Sequence, residues 1–83
     1  MAQKASAGEV YPGITVDPQV VHGKPVIAGT RVLVAVVVGT LAAGDSLETV
    51  CAEYGLTLEQ IQAALGYAAS RVADEDVYVV PGI

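Results

Sequence analysis

Phenylalanine and tryptophan are missing from this 83-residue chain, and cysteine, histidine and methionine occur once each. A single cysteine, Cys51, excludes an intramolecular disulfide and fits a reducing compartment. A single histidine, His22, leaves a transition-metal site short of ligands, since no ligand-pair spacing accompanies it. No metal or cofactor is therefore expected. Cations are scarce too: Lys and Arg total four against nine Asp and Glu, a net charge of −5. The longest nearly apolar run, Val32 to Ala43, is about twelve residues, well short of the roughly 20 that span a bilayer. Met1 to Ser6 lacks the apolar stretch of a secretory signal and reads as the frayed tail of a cytoplasmic protein.

What is present is aliphatic and small. Apolar types make up 53 % of the chain, dominated by Val and Ala, and the aromatic residues are Tyr11, Tyr54, Tyr67 and Tyr78. A domain of this size buries only about 60–65 % of its unfolded surface, so self-association or a partner is the natural source of further burial. The charge is uneven as well. Residues 1–31 carry a net +1 and residues 32–83 a net −6. Phosphate neutralisation drives nucleic-acid binding, so the second half would be repelled by a duplex and suits a basic protein partner better.

Three regions follow from the punctuation: an extended arm over 1–13, a central domain over 14–73 and a strand-like tail over 74–83. Pro12-Gly13 breaks an extended segment at Val10-Tyr11. Ile14-Thr15-Val16 and Val26-Ile27 read as short strands between turn signals. Val32 to Ala43 is ambiguous, because its β-branched residues favour strand while its length favours helix. As a helix it is apolar on nearly every side and needs cover from a second subunit or partner. Ser46 is a good N-cap for a helix over 47–54, closed by Gly55. Thr57 with Gln60 matches a capping box that opens a helix over 58–72. There Leu58, Ile61, Leu65, Ala68 and Val72 form one apolar stripe. Two helices joined by about three residues make an αα-corner compatible with a helix-turn-helix. Val77 to Val80 returns to strand character before Pro81.

Val16-Asp17-Pro18, then His22-Gly23-Lys24-Pro25-Val26-Ile27-Ala28-Gly29-Thr30-Arg31-Val32, then Leu41-Ala42-Ala43-Gly44 stand in an order that resembles the domain-of-unknown-function family 433. Tyr54 to Ile61 and Ala63 to Ala68 continue the likeness, which covers roughly residues 14–69. That family is grouped with VapB-type antitoxins. The resemblance implies a homeodomain-like three-helix fold preceded by short strands, usually dimeric. With the strand-like C-terminus read from the residues, the expected class is mainly α, a homeodomain-like three-helix core with short N- and C-terminal β-strands. It also implies a type II antitoxin that neutralises a PIN-like ribonuclease toxin encoded nearby, and no enzymatic activity of its own. The sequence departs from the family in its scarcity of basic residues, which weakens promoter binding by this chain alone.

Candidate contact residues follow from both readings. Arg31 opens the apolar helix, where a cation gains nothing from the helix dipole; it needs an internal carboxylate, a phosphate or the acidic site of a toxin. Lys24 is the other cation of that region, though more readily solvated. Val34, Val37, Val38 and Leu41 on the apolar helix, with Tyr78 in the tail, complete the set expected to meet a partner. His22-Gly23-Lys24-Pro25 lacks the pattern of a phosphate loop, and His22 has no nucleophile to serve. Cys51, on the apolar stripe of its helix, reads as a core thiol. The alternative function is a DNA-binding regulator using Thr57, Glu59, Gln60, Gln62 and Arg71. It would bind weakly, or only as a toxin complex, because few cations are present to hold phosphates.

Overall fold

The computed structural model describes residues 7–76 and 79. Three strands come first: β1 (Gly8–Tyr11), β2 (Ile14–Val16) and β3 (Val26–Ile27), in the order β1-β2-β3, with both pairs antiparallel. Pro12 and Gly13 make the first reversal. Gly13 sits at φ +87°, a left-handed corner open to glycine at no steric cost, and its N–H donates to Glu9 Oε2 at 3.0 Å. Tyr11 pairs with Ile14 and Glu9 with Thr15, with an irregularity between Glu9 and Tyr11.

The segment from Val26 to Val34 is a tight connector. The Thr30 hydroxyl donates to the Ile27 carbonyl at 2.7 Å and accepts from the Val32 N–H at 3.0 Å. The Ile27 N–H in turn donates to the Val32 carbonyl at 3.0 Å. Gly29, at φ +78°, lets the chain reverse between them. The Val34 N–H then donates to the Pro25 carbonyl at 3.1 Å, which fastens the first helix to the sheet. The Pro-Val-Ile-Ala-Gly-Thr run is thus a structural joint held by hydrogen bonds across the turn, and the Ala28 N–H ties it to the first reversal by donating to the Gly13 carbonyl at 2.9 Å.

Three helices follow: α1 (Val34–Ala42), α2 (Leu47–Tyr54) and α3 (Leu58–Ala73). Ser46 caps α2 by accepting from the Thr49 N–H, and Gly55 ends it at φ +66°. Thr57 and Gln60 close the expected capping box on α3, at 3.1 Å and 2.8 Å. The 32–43 segment resolves as helix because its ends are held by Pro25 and by turns at Ala43 and Gly44, while its interior buries Val34 and Val37.

The fold class differs from the expectation. The chain is mixed α/β, with a three-stranded antiparallel sheet at its N-terminus, and not a mainly α homeodomain-like bundle with strands appended. The physical reason lies in the core. Ile14 and Ile27, from the sheet, are fully buried beside Val34, Val37, Val50, Leu56, Ile61 and Ala64. Helices built largely from Val and Ala leave space that the two isoleucines fill. β1 was legible only as an extended segment because its residues are mostly exposed, and pairing with β2 makes it a strand. The expected C-terminal strand, and Tyr78 within it, lie outside the described residues.

The stripe on α3 is also turned. Ile61 and Ala64 face the core, whereas Leu58 (48 %), Leu65 (38 %) and Val72 (66 %) are exposed. The small side of α3 is what lets the sheet come close. Ala63 Cβ would lie 3.1 Å from a Cβ placed on Gly13, and the Tyr11 ring packs directly over Gly66. Bulkier residues at 63 and 66 would hold the β1–β2 hairpin away from the helix.

Candidate functional site: an apolar groove with a cationic rim

Between α1 and the C-terminal half of α3 runs an open groove of about 590 Å³. On α1, Val34 and Val38 form one row and Ala35 and Gly39 the next, each pair separated by one helical turn. Tyr67, Ala68 and Arg71 make the opposite wall, while Leu33 and Pro25 close one end. Tyr67 is braced from behind by Tyr11, their ring centroids 6.0 Å apart in an edge-to-face arrangement at 67°. The lining is predominantly apolar. The charges at its rim are Lys24 and Arg71, two of the four cations in an acidic chain.

The turn that delivers Lys24 is strained. Val21 (φ +48°) and His22 (φ +58°) are non-glycine residues in the left-handed region, uncommon for a β-branched side chain. Hydrogen bonds from the Gly23 and Lys24 N–H groups to the Val20 and Val21 carbonyls hold this conformation, at 3.1 and 3.2 Å. His22 is exposed on the outside of the turn. Among the described residues, no group of three or more His, Cys, Asp or Glu could hold a metal ion, and no helix is long and apolar enough to cross a membrane.

The structure divides the expected contact residues. Lys24, Val34 and Val38 line the groove together, joined there by Arg71 from the other candidate set. Val34 (6 % exposed) and Val37 (fully buried) both belong to the core, and Val38 and Leu41 are both half-buried against it; Val37 and Leu41 do not line the groove. Arg31 is exposed and lines a separate cavity of about 560 Å³ with Asp17, Thr15, Val26 and Thr30. Leu33, Ala35, Gly39, Tyr67 and Ala68 were not legible as site residues. Tyr67 and Arg71 share a face of α3, but only the packing of α1 against α3 shows which face matters. Cys51 is half-buried and packs against the core. Thr57 and Gln60 are committed to each other in the cap, while Glu59 and Gln62 are exposed. Arg71 stands twelve residues along the helix from Glu59, about 18 Å away. No cation of α3 therefore stands beside the polar N-terminal residues that would read a base.

The chain belongs to the family described as "Protein of unknown function (DUF433)", whose model matches residues 14–68. The match takes in β2, β3, α1, α2 and most of α3, and stops short of Arg71. Two similar proteins are from Mycobacterium tuberculosis (strain ATCC 25618 / H37Rv). "Uncharacterized protein Rv2308" is 34 % identical over 59 residues, 71 % of this chain and 25 % of that protein. "Putative antitoxin VapB45" is 39 % identical over 57 residues, 69 % of this chain and 24 % of that protein. The chain thus spans about a quarter of the length of these curated relatives. The crystal structure of Rv2018 from Mycobacterium tuberculosis is similar with a TM-score of 0.58 and 40 % identity, over 63 % of this chain and 24 % of that one.

Proposed function

We propose that this protein is a non-enzymatic antitoxin, a cytoplasmic homodimer that neutralises a toxin by direct protein contact. The observation that carries the reading is the likeness to the protein named "Putative antitoxin VapB45", 39 % identical over 57 residues, 69 % of this chain. The groove supports the homodimer physically. An apolar concavity open to solvent on a chain this small gains free energy by taking up an apolar segment, at about 25 cal/mol for each Å² removed from water. The partner proposed is a PIN-like ribonuclease encoded nearby. Such an enzyme presents a cationic surface to RNA, and the acidic second half of this chain is suited to occupy it. Arg31, exposed on a cavity separate from the groove, then reaches toward the acidic catalytic site.

The test is co-expression with the neighbouring gene and purification on a tag carried by this chain. A stoichiometric complex, silent as a nuclease until this chain is removed, is the expected result. Failure of the neighbour to bind, or a nuclease equally active with and without this chain, overturns the reading. DNA binding through residues 46–72 ranks lower, because the Thr57 and Gln60 side chains are spent on the helix cap. A mobility shift on the chain's own promoter that weakens steeply with salt would reverse that order.

A further inference from the structure

Two features of this chain are complementary in their chemistry. The first is the α1–α3 groove, apolar within and edged by Lys24 and Arg71. The second is the sequence that follows α3. Asp74, Glu75 and Asp76 stand directly ahead of Val77-Tyr78-Val79-Val80-Pro81-Gly82-Ile83, an acidic cluster leading into an almost wholly apolar segment. Asp74 to Asp76 are exposed, and Val79 is 90 % exposed.

We propose that the segment over residues 77–83 of a second copy seats in the groove, reciprocally, so that exchanged segments close a two-fold dimer. The proposal rests on the homodimer reading above and adds the contact that makes it. Reach is sufficient. Seven extended residues span about 23 Å, whereas the α1 wall from Leu33 to Gly39 rises only about 9 Å. The walls are also suitable. Ala35, Gly39 and Ala68 are small and leave depth for valine side chains, while Pro81 keeps the incoming segment extended. Charge sets the orientation, because the three carboxylates arrive ahead of the apolar residues and meet the cationic rim. A reciprocal exchange fills both grooves and covers both segments at once, which an isologous pair does and an open chain of copies does not.

Sedimentation velocity across a concentration series tests this on the full chain. Wild type is expected to be a dimer. K24E/R71E and, separately, V79D are each expected to weaken dimerisation by roughly tenfold or more. Adding D74K/E75K/D76K to K24E/R71E is expected to restore it. A synthetic peptide of residues 74–83 should dissociate the wild-type dimer and shift the backbone amide signals of Val34, Val38 and Ala68. Circular dichroism and the unfolding midpoint are expected to stay unchanged in K24E/R71E, since both side chains are exposed. A wild type that is monomeric at every concentration overturns both the homodimer reading and the exchange. A dimer indifferent to K24E/R71E and V79D overturns the exchange alone. A monomer in which V79D shifts the Val34 and Val38 signals overturns the exchange in favour of a seat within one chain.

Discussion

Two glycines in helix interiors make opposite predictions from the same substitution. Gly39 lies in α1 and Gly66 in α3. Alanine is favoured over glycine in a helix by about 1 kcal/mol, so propensity alone says that both Gly39→Ala and Gly66→Ala stabilise. The surroundings decide otherwise. A Cβ at Gly39 meets nothing within 4 Å. At Gly66 it meets the Tyr11 ring, with Cζ at 3.1 Å, Cε1 at 3.3 Å and the hydroxyl oxygen closer still. The ring is not a free end, because it stacks edge-on against Tyr67 and belongs to the strand paired with β2. Overpacking costs about 1–3 kcal/mol, and a lost aromatic contact about 0.5–1.5 kcal/mol more. G39A should therefore raise stability by about 0.5–1 kcal/mol, and G66A should lower it by about 0.5–3.5 kcal/mol once the propensity gain is subtracted. Urea unfolding followed by circular dichroism measures both. Placing G66A in a Tyr11→Ala background should restore the gain of about 1 kcal/mol, since nothing is then left to collide with. If G66A stabilises the wild-type chain as much as G39A does, Tyr11 does not pack over α3 and the sheet is not seated as described.

The same G39A separates folding from binding. Its added methyl narrows the groove, so the more stable variant should hold the peptide of residues 74–83 less tightly, measured by titration calorimetry. Thr30→Val keeps the shape of Thr30 but removes both hydrogen bonds across the 27–32 connector, and should cost about 1–3 kcal/mol with faster hydrogen exchange at the Val32 amide. Val37→Ala empties a fully buried site and should cost about 2 kcal/mol in unfolding free energy while leaving partner affinity within twofold; a large loss of affinity would place Val37 at the interface after all.

How much of the site was legible can be traced through α1. The valine-rich run announced a helix that needs cover, and Val34 and Val38 do line an open groove. Val37 lies wholly in the core, whereas Val34, also a core residue, keeps an edge on the groove and Val38 is half-buried there. No local property of the three valines separates them. The separation comes from which side of α1 the sheet and α3 approach. Arg31 and Lys24, close in sequence and alike in charge, end at different cavities because the 27–32 connector turns the chain between them. Arg71 was grouped with the polar residues at the other end of α3 on sequence grounds, and the packing assigns it to Lys24 instead.

Local chemistry determined the parts closed by hydrogen bonds between near neighbours. The Ser46 cap, the Thr57–Gln60 box, the left-handed Gly55 and the Pro12-Gly13 reversal each involve residues within a few positions of one another, so α2, α3 and the first turn were readable without a fold. Tertiary structure decided what depends on distant pairs. It made a strand of Gly8–Tyr11, set Ile14 and Ile27 into a core shared with the helices, and turned Leu58, Leu65 and Val72 of α3 outward. An apolar residue carries a preference for burial but no address, and the address here is set by where small residues let one element approach another: the β1–β2 hairpin against Ala63 and Gly66 of α3.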